Sequence, residues 1–570
     1  MSQRKHMTNS FIELKARERV KSILDPNTFR ELCDPFCKIE SPHLPSQGIV
    51  PQSDDGVVVG LGTLNNERTL IISTDGKFMG GGIGEVSGAK IAAALELALQ
   101  DNKQGIPTKT VLMLETGGIR LQESNYGLLA LAEIQAAIIE LRQLQPVVCV
   151  IAGTIGCFGG MSITAGLCTS IIMTKHGRLQ LNGPEVIEQE AGIEEFDSRN
   201  RPFIWSISGG EQRVETGLAD KLVHDDVNEL REQIIHCFNN QRPKYFRSTM
   251  IDKYVTQLNK IDPSGNLTPD ALRGLWGKPV ESGSTIHYNA AVTSVLEKKI
   301  ESSSNGKLFF QALVASRDQV ESGSDSVLAG NITLGSEHAT VIAVVPNRHN
   351  RFHRARNGQL GVDEGWALAR CVRQVIEADQ SKPSKDKSAI VAIVDVPGQA
   401  YGYKEELLGI HQSLAAAVDA YATARLSGHP IVALIVGQAL SGAFLAHGLQ
   451  ANAIIALNEP SVMVQVMSKK SISIITKTSL SEVEHTTSIG RAHDIGSFTK
   501  LGAVEHLIDD ITSDQLTSEK VDRLQILLHH TITKIRSSSN DLSHRLSSQN
   551  AQLYRASSIH VRKEMEVQWS

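Results

Sequence analysis

The sequence predicts an α/β protein built as two tandem copies of one unit, and three observations predict it. A pattern centred on Pro146 returns at Pro430, 284 positions later. Nearly all-apolar runs of strand length alternate with longer runs of helical periodicity, as βαβ units around buried parallel strands do. Between the copies, from about Asn259 to Gly306, the apolar runs stop and Pro, Gly and Ser collect in DPSGNLTPD, ESGST and ESSSNG, the composition of a linker. A period this long means two domains of one fold and not a solenoid.

The elements of the first copy follow in order. TVLMLE is a strand, Thr116-Gly117-Gly118 opens a loop, and GLLALAEIQAAIIELRQL has the spacing of a buried helix. Pro146 then starts the strand VVCVIAGTIGCF, and Gly159-Gly160 opens the small-residue helix MSITAGL, followed by another apolar strand. The second copy repeats this as AIVAIVD, the loop Val396-Pro397-Gly398, the helix IHQSLAAAVDAYATARLSG, Pro430-IVALIVGQALS, the turn Gly442-Ala443 and FLAHGLQANAIIAL. Tight turns of this kind present backbone N–H groups where a helix begins, and such groups hold a negatively charged oxygen. Two of them suit a reaction that handles two carbonyls, a thioester and a carboxylate.

The boundaries expected are 1–258 for the first domain, 259–306 for the linker, with a short helix over AAVTSVLEKKI, and 307–570 for the second domain. The tail from about Ser518 alternates a helical stretch with polar residues, which predicts packing at the surface with flexible runs at SSSN and LSSQN. The net charge of −5 over 570 residues argues against nucleic acid as the main partner. The uncharged run Val147–Thr174 contains five glycines, so it reads as strand, loop, helix and strand and not as a membrane span of about 20 apolar residues. The N-terminus has no apolar signal region, and the seven scattered cysteines read as reduced core residues of a cytoplasmic protein. Cys33 and Cys37 have no second pair near them, so no metal site is expected.

The ordered series DGKFMGGGIGEVSGAKIAAALELA, LETGGIRLQES, GTIGCFGGMSITAGL and GRLQLNGPEVIEQEAG resembles the N-terminal domain of acyl-CoA carboxyltransferases, members of the crotonase-like superfamily. DVPGQAYGYKEELLGI, HPIVALIVGQALSGAFLAHGL and SVMVQVMSKK resemble their C-terminal domain. The wording of both halves is similar to the β and γ subunits of malonate decarboxylase, of the biotin-independent type, joined in one chain. The resemblance implies two crotonase-like carboxyltransferase domains of ββα-superhelix type, meeting face to face. It implies decarboxylation of a malonyl thioester to an acetyl thioester on an acyl carrier protein with a CoA-like phosphoribosyl-dephospho-CoA arm, and no cofactor bound by this chain itself. The partners it implies are that carrier protein and an acyl-carrier transferase subunit. The alternative is transfer of a carboxyl group between an acyl thioester and biotin on a partner.

Carried over residue by residue, Gly159-Gly160 match the first oxyanion turn and Gly442-Ala443 the second, with Ser441 where biotin-dependent relatives commonly carry Gly. Gly117, Gly118 and Gly398 belong to the facing loops. Gly81 and Gly82 are expected to line the CoA-like arm. A dinucleotide fingerprint at these glycines lacks its preceding strand. Lys90 is either a phosphate partner of the arm or a solvated helix lysine. The basic run Arg351, His353, Arg354 and Arg356 either binds phosphates or an acidic carrier, or is a solvated loop. Candidate proton donors to the enolate are Ser441, His447, Gln438, Tyr401, Tyr403 and Glu405, or ordered water. NEPSVMVQVMSKKSISIIT departs from the carboxyltransferase pattern, and the chain has neither a biotinylation segment nor a carrier attachment serine.

Overall fold

The computed structural model describes residues 9–240, 243–277, 304–467, 472–473, 479, 481 and 491–569. Its first sheet contains β1 (Arg30–Leu32), β2 (Val57–Leu64), β3 (Glu67–Thr74), β4 (Lys109–Met113), β5 (Val147–Ile151), β6 (Ser170–Thr174) and β7 (Lys221–Val223), paired in sequence order. The second contains β8 (Gln319–Val320), β9 (Val327–Leu334), β10 (Glu337–Val344), β11 (Ala389–Val396), β12 (Ile431–Leu440), β13 (Ala453–Leu457) and β15 (His506–Ile508), with β14 (Met463–Gln465) beside the end of β12. In each sheet an antiparallel hairpin (β2–β3, β9–β10) precedes four parallel strands. The first hairpin turns through Asn65-Asn66, both at positive φ, as a two-residue turn matched to strand twist requires.

The parallel strands are apolar on both faces because helices cover them. In chain order these include α1 (Glu85–Lys103), α2 (Asn125–Leu141) and α3 (Gly159–Leu167) of the first half. Their counterparts in the second are α4 (Val362–Ala378), α5 (Ile410–Leu426) and α6 (Ser441–Ala446). Glycine sets the helix spacing at matched places. Gly88 of α1 lies against Ala130 of α2, and a Cβ on Gly365 of α4 would come 2.7 Å from Ser413 Oγ of α5.

Beyond the main sheets, short extended segments pair as single bridges: Ile83 with Ile119, Thr116 with Cys157, Cys157 with Leu179 and Arg178 with Gly209. Leu360 pairs with Gln399 in the same way. Each turn of the chain is therefore strand, short second strand and helix, the ββα superhelix expected. The uncharged run Val147–Thr174 is divided among β5, a turn, α3 and β6. Among the described residues no helix is long and apolar enough to cross a membrane.

The halves meet through α2 and α3 on one side and α5 and α6 on the other. A Cβ on Gly166 would stand 2.9 Å from that of Ala415, so small side chains let α3 approach α5. A buried ion pair crosses this seam. Arg142 sits 2.7 Å from Asp419, which also accepts from Ser248 Oγ at 2.7 Å. Burial would raise the Asp419 pKa, but Arg142 and Arg373 outweigh it and hold it down at about 2.

Two expectations change. The first part of the predicted linker is packed structure: helix Pro269–Trp276 is capped by Thr268 and buries Leu272 and Trp276. Residues 278–303, with the helix predicted over AAVTSVLEKKI, lie outside the described residues, as does most of the segment after Met467. The tail does not stop at the surface of its own half. Its last helix, α7 (Ala556–Trp569), returns to α1 of the first half and buries Val561, Met565 and Trp569. Arg555 and Arg562 each bond Glu133 at 2.7 Å, and Trp569 Nε1 donates to Asp101 at 3.0 Å. The run LSSQN spans two short helices, with Ser548 capping the second.

Candidate active site

Both helix-opening turns lie at the seam between the halves, and α3 and α6 pack against each other there. A Cβ on Gly160 would meet Leu131 and stand 2.8 Å from Leu445 Cδ1; one on Gly442 would stand 3.4 Å from Ile163 Cδ1. The pairs 160 with 445 and 163 with 442 are the register of antiparallel neighbours. The two turns are therefore separated by about one helical turn, ~5 Å along the pair.

The first turn is built by close backbone approach. Gly159 has φ +56 and faces Gly118, φ +99, whose Cβ would come 3.1 Å from the Gly159 Cα. The Gly159 N–H donates to Leu181 O at 2.8 Å, so Gly159 shapes the turn and is not one of its donors, contrary to expectation. Among the described residues no acceptor bonds the N–H groups of Gly160 and Met161, nor that of Ile119, which lies 3.8 Å from the Cβ position of Gly159. Loop and helix start together thus offer free donors. Sequence reasoning missed Ile119 because a backbone donor leaves no mark on residue type. Gly117 is exposed, with its N–H on Gly80 O at 2.7 Å.

The second turn repeats this plan. Ile83 N and Arg120 N bond Gly118 O and Ile83 O in the first half; Leu360 N and Ala400 N bond Gly398 O and Leu360 O in the second. Gly398, φ +119, is thus the counterpart of Gly118. Ser441 holds φ +51, a left-handed conformation unusual for serine, and is half-buried at the tip. The N–H groups of Gly442 and Ala443 bond no acceptor among the described residues.

A polar bridge from opposite halves closes one side. Gln399 Nε2 donates to Asn182 Oδ1 at 2.9 Å, and Asn182 Nδ2 donates to Ala400 O at 3.0 Å. This leaves Gln399 Oε1 buried without a donor, 3.3 Å from the Cβ position of Gly442. Glu406 accepts from Leu181 N at 3.0 Å and Asn182 N at 2.7 Å. Burial pushes its pKa up to about 7 against the pull of Asn182 and Arg213. Asn182, Gln399 and Glu406 stand inside the motifs that signalled the family. Their pairing across more than 200 positions is a tertiary fact.

Several expected site residues lie elsewhere. Lys90 is neither a phosphate partner nor solvated. Its ammonium is fully buried and donates to the carbonyls of Cys33, Asp54 and Val57 at 3.0, 3.1 and 2.6 Å. Gly81 and Gly82 are buried one layer behind the first turn, against the backbone of Glu115 and Arg120, and do not line an open channel. Most of the basic run is engaged within the protein: Arg351 forms a two-point pair with Asp363, Arg354 binds Glu195, and Arg356 Nε donates to Asn350 O. His447 is a core residue, bonded to Tyr421 OH and Ile393 O at 2.9 Å each, with burial pushing its pKa down to about 4.

The carboxyl transferase domain family covers residues 13–270, and the malonate decarboxylase gamma subunit family covers 355–569. The malonyl-S-ACP:biotin-protein carboxyltransferase MADC of Malonomonas rubra is 38% identical over 280 residues, 47% of this chain and 88% of the relative. The chain belongs to the malonate decarboxylase carboxyltransferase family. It joins β-type and γ-type carboxyltransferase domains on crotonase-like folds and is an enzyme of the carboxyltransferase/decarboxylase class. MADD of the same organism, also named a malonyl-S-ACP:biotin-protein carboxyltransferase, is 38% identical over 188 residues, 32% of this chain and 64% of its own length. A Pseudomonas malonate decarboxylase hetero-tetramer, solved with malonate, has a chain 53% identical to this one, covering 47% of this chain and 98% of its own, with a TM-score of 0.47.

Proposed function

We propose that the protein decarboxylates a malonyl thioester carried on an acyl carrier protein, releasing CO2 and leaving an acetyl thioester. The observation that carries this reading is the pair of helix starts at the seam whose N–H groups, at Gly160 and Met161 and at Gly442 and Ala443, bond no acceptor among the described residues. Loss of CO2 moves the pair of the breaking C–C bond into the thioester, which becomes an enolate with negative oxygen. Fixed N–H donors stabilise that charge without reorganising, and losing one costs about 2.7–4 kcal/mol.

In this reading Gly160, with Ile119, holds the thioester oxygen. Ser441, Gly442 and Ala443 hold the departing carboxylate and turn it perpendicular to the enolate plane, so that the breaking bond aligns with the π system. The Asn182–Gln399 bridge keeps the facing loops at fixed separation. A CoA-like arm supplied by a separate carrier delivers the thioester past the exposed Gly117, and the chain works beside that carrier and an acyl-carrier transferase.

The second reading is carboxyl transfer to biotin on a partner, favoured by the names of the two Malonomonas relatives. Turnover of malonyl carrier protein with avidin present separates the two. Unchanged release of CO2 and acetyl thioester supports direct decarboxylation. Abolition by avidin, or a requirement for added biotinyl carrier, makes the second turn a biotin site.

A further inference from the structure

We infer that Tyr401 is the acid that protonates the enolate carbon, an assignment that rests on the decarboxylation reading above. The phenol stands over the loop that faces the second turn. A Cβ on Gly398 would lie 3.7 Å from Tyr401 OH and 3.9 Å from the Cβ of Leu440, the residue immediately before Ser441. Tyr401 is half-buried, and its hydroxyl makes no hydrogen bond among the described residues. The two other tyrosines nearest in sequence, Tyr403 and Tyr421, are both engaged, with Leu267 O and with His447. Phenol hydroxyls packed against protein usually find a partner, as those of Tyr403 and Tyr421 do, so an unbonded one beside Gly398 and Leu440 is poised for a ligand.

The remaining acids are excluded by what they touch. Both ring nitrogens of His447 are bonded. Glu405 is folded back onto Gly402, beside Arg354 and Glu195. Gln438 lies in β12 and carries no acidic proton, and the Ser441 hydroxyl is a far weaker acid than a phenol. The internal repeat adds an independent argument. Gly118 and Gly398 are equivalent by their hydrogen bonds, which places Leu121 opposite Tyr401. A phenol at one turn and an isobutyl group at the other divides the duty: the first turn holds the oxyanion and the second delivers the proton. Burial, with Glu190 nearby, pushes the Tyr401 pKa up, so the phenol remains protonated at neutral pH and serves as an acid.

The step balances. The C–C bond breaks with its electron pair entering the enolate and CO2 departing. The Tyr401 O–H bond then breaks as the enolate carbon takes the proton, the enolate pair forms the new C–H bond, and the thioester carbonyl is restored. The phenolate left behind recovers a proton from water.

The test uses the full chain with malonyl and methylmalonyl carrier protein in D2O. Wild type is expected to release CO2 without biotin and to give propionyl thioester of one configuration at the deuterated carbon. Tyr401→Phe, which removes a hydroxyl that bonds nothing among the described residues, should keep the melting temperature, lose turnover by about 10²–10⁴-fold, and give scrambled product from any residual reaction. A fluorinated tyrosine at 401, a stronger acid of nearly the same shape, should retain turnover and move the alkaline limb of its pH profile downward. Wild-type rate and configuration in Tyr401→Phe, or an unmoved alkaline limb, would overturn the assignment while leaving decarboxylation intact. If wild type itself needs a biotinyl carrier, the decarboxylation reading fails first, and Tyr401 fails with it.

Discussion

Gly160 of the first half and Leu445 of the second stand so close that a β-carbon on the glycine would lie 2.8 Å from the leucine Cδ1. The packing behind it requires a glycine here, and in the proposed reading a side chain would also crowd the thioester oxygen held at its N–H. Gly160→Val forces Leu131 and Leu445 apart, and overpacking of this kind costs about 1–3 kcal/mol. Denaturant unfolding should show that loss together with lost turnover. Leu445→Ala added to Gly160→Val should recover part of the stability and none of the activity. A Gly160→Val protein of unchanged stability would contradict the contact.

Lys90 gives a prediction of opposite character. Its ammonium bonds three buried carbonyls, of which Asp54 O also accepts from Val57 N at 3.2 Å, so Lys90→Met strips their charged donor and should destabilise the first half by about 1–3 kcal/mol. The KM for a CoA-like thioester should not change in enzyme that remains folded. A rise in KM of tenfold or more with stability intact would restore a phosphate contact.

Asp419→Ala leaves Arg142 buried without its carboxylate. Breaking one side of such a pair costs about 3–5 kcal/mol. Because the pair lies between the halves, the loss should appear as a lowered unfolding midpoint for both. Asp419 is held down at about 2, so its contribution is fully present above the ordinary aspartate pKa of about 3.9 and is lost as the pH falls through about 2. A midpoint unchanged by the substitution at neutral pH would mean that the pair adds nothing.

Glu406 works in the other direction. Its folded pKa is raised to about 7, above the unfolded value of about 4.3. Between these values the folded chain binds more protons than the unfolded one, so stability falls as the pH rises from about 4.3 to about 7. Glu364 and Glu405, also raised to about 7 by burial, contribute to the same slope. Glu406→Gln should flatten it by up to about 1.4 kcal/mol per pH unit. Melting curves at several pH values check this, and identical slopes for both proteins would show that Glu406 stays ionised throughout.

Much of the fold was legible because local chemistry writes it. The helix expected over residues 127–144 is found at Asn125–Leu141, and the one over 410–428 at Ile410–Leu426. Apolar periodicity and flanking glycines fixed both. The glycine turns were legible because glycine best accepts their backbone angles and close approaches, as Gly159 against Gly118 shows, although Ser441 holds the left-handed angle of the second turn. The packing of α7 on α1 was not legible, since an amphipathic tail records that it must be covered and not by which surface.

The sequence by itself determined that one unit is written twice, where the strands and helices around the two glycine turns fall, and which turns open helices. These follow from periodicity, turn chemistry and repetition, all local along the chain. Only the tertiary structure decided that Lys90 is bound by three carbonyls, that Gly159 shapes the turn while Gly160 and Ile119 keep free N–H groups, and that Tyr401 stands open over Gly398. A side chain's partners depend on which distant segments the seam between the halves brings within hydrogen-bond reach, and that distance is not encoded at any single position.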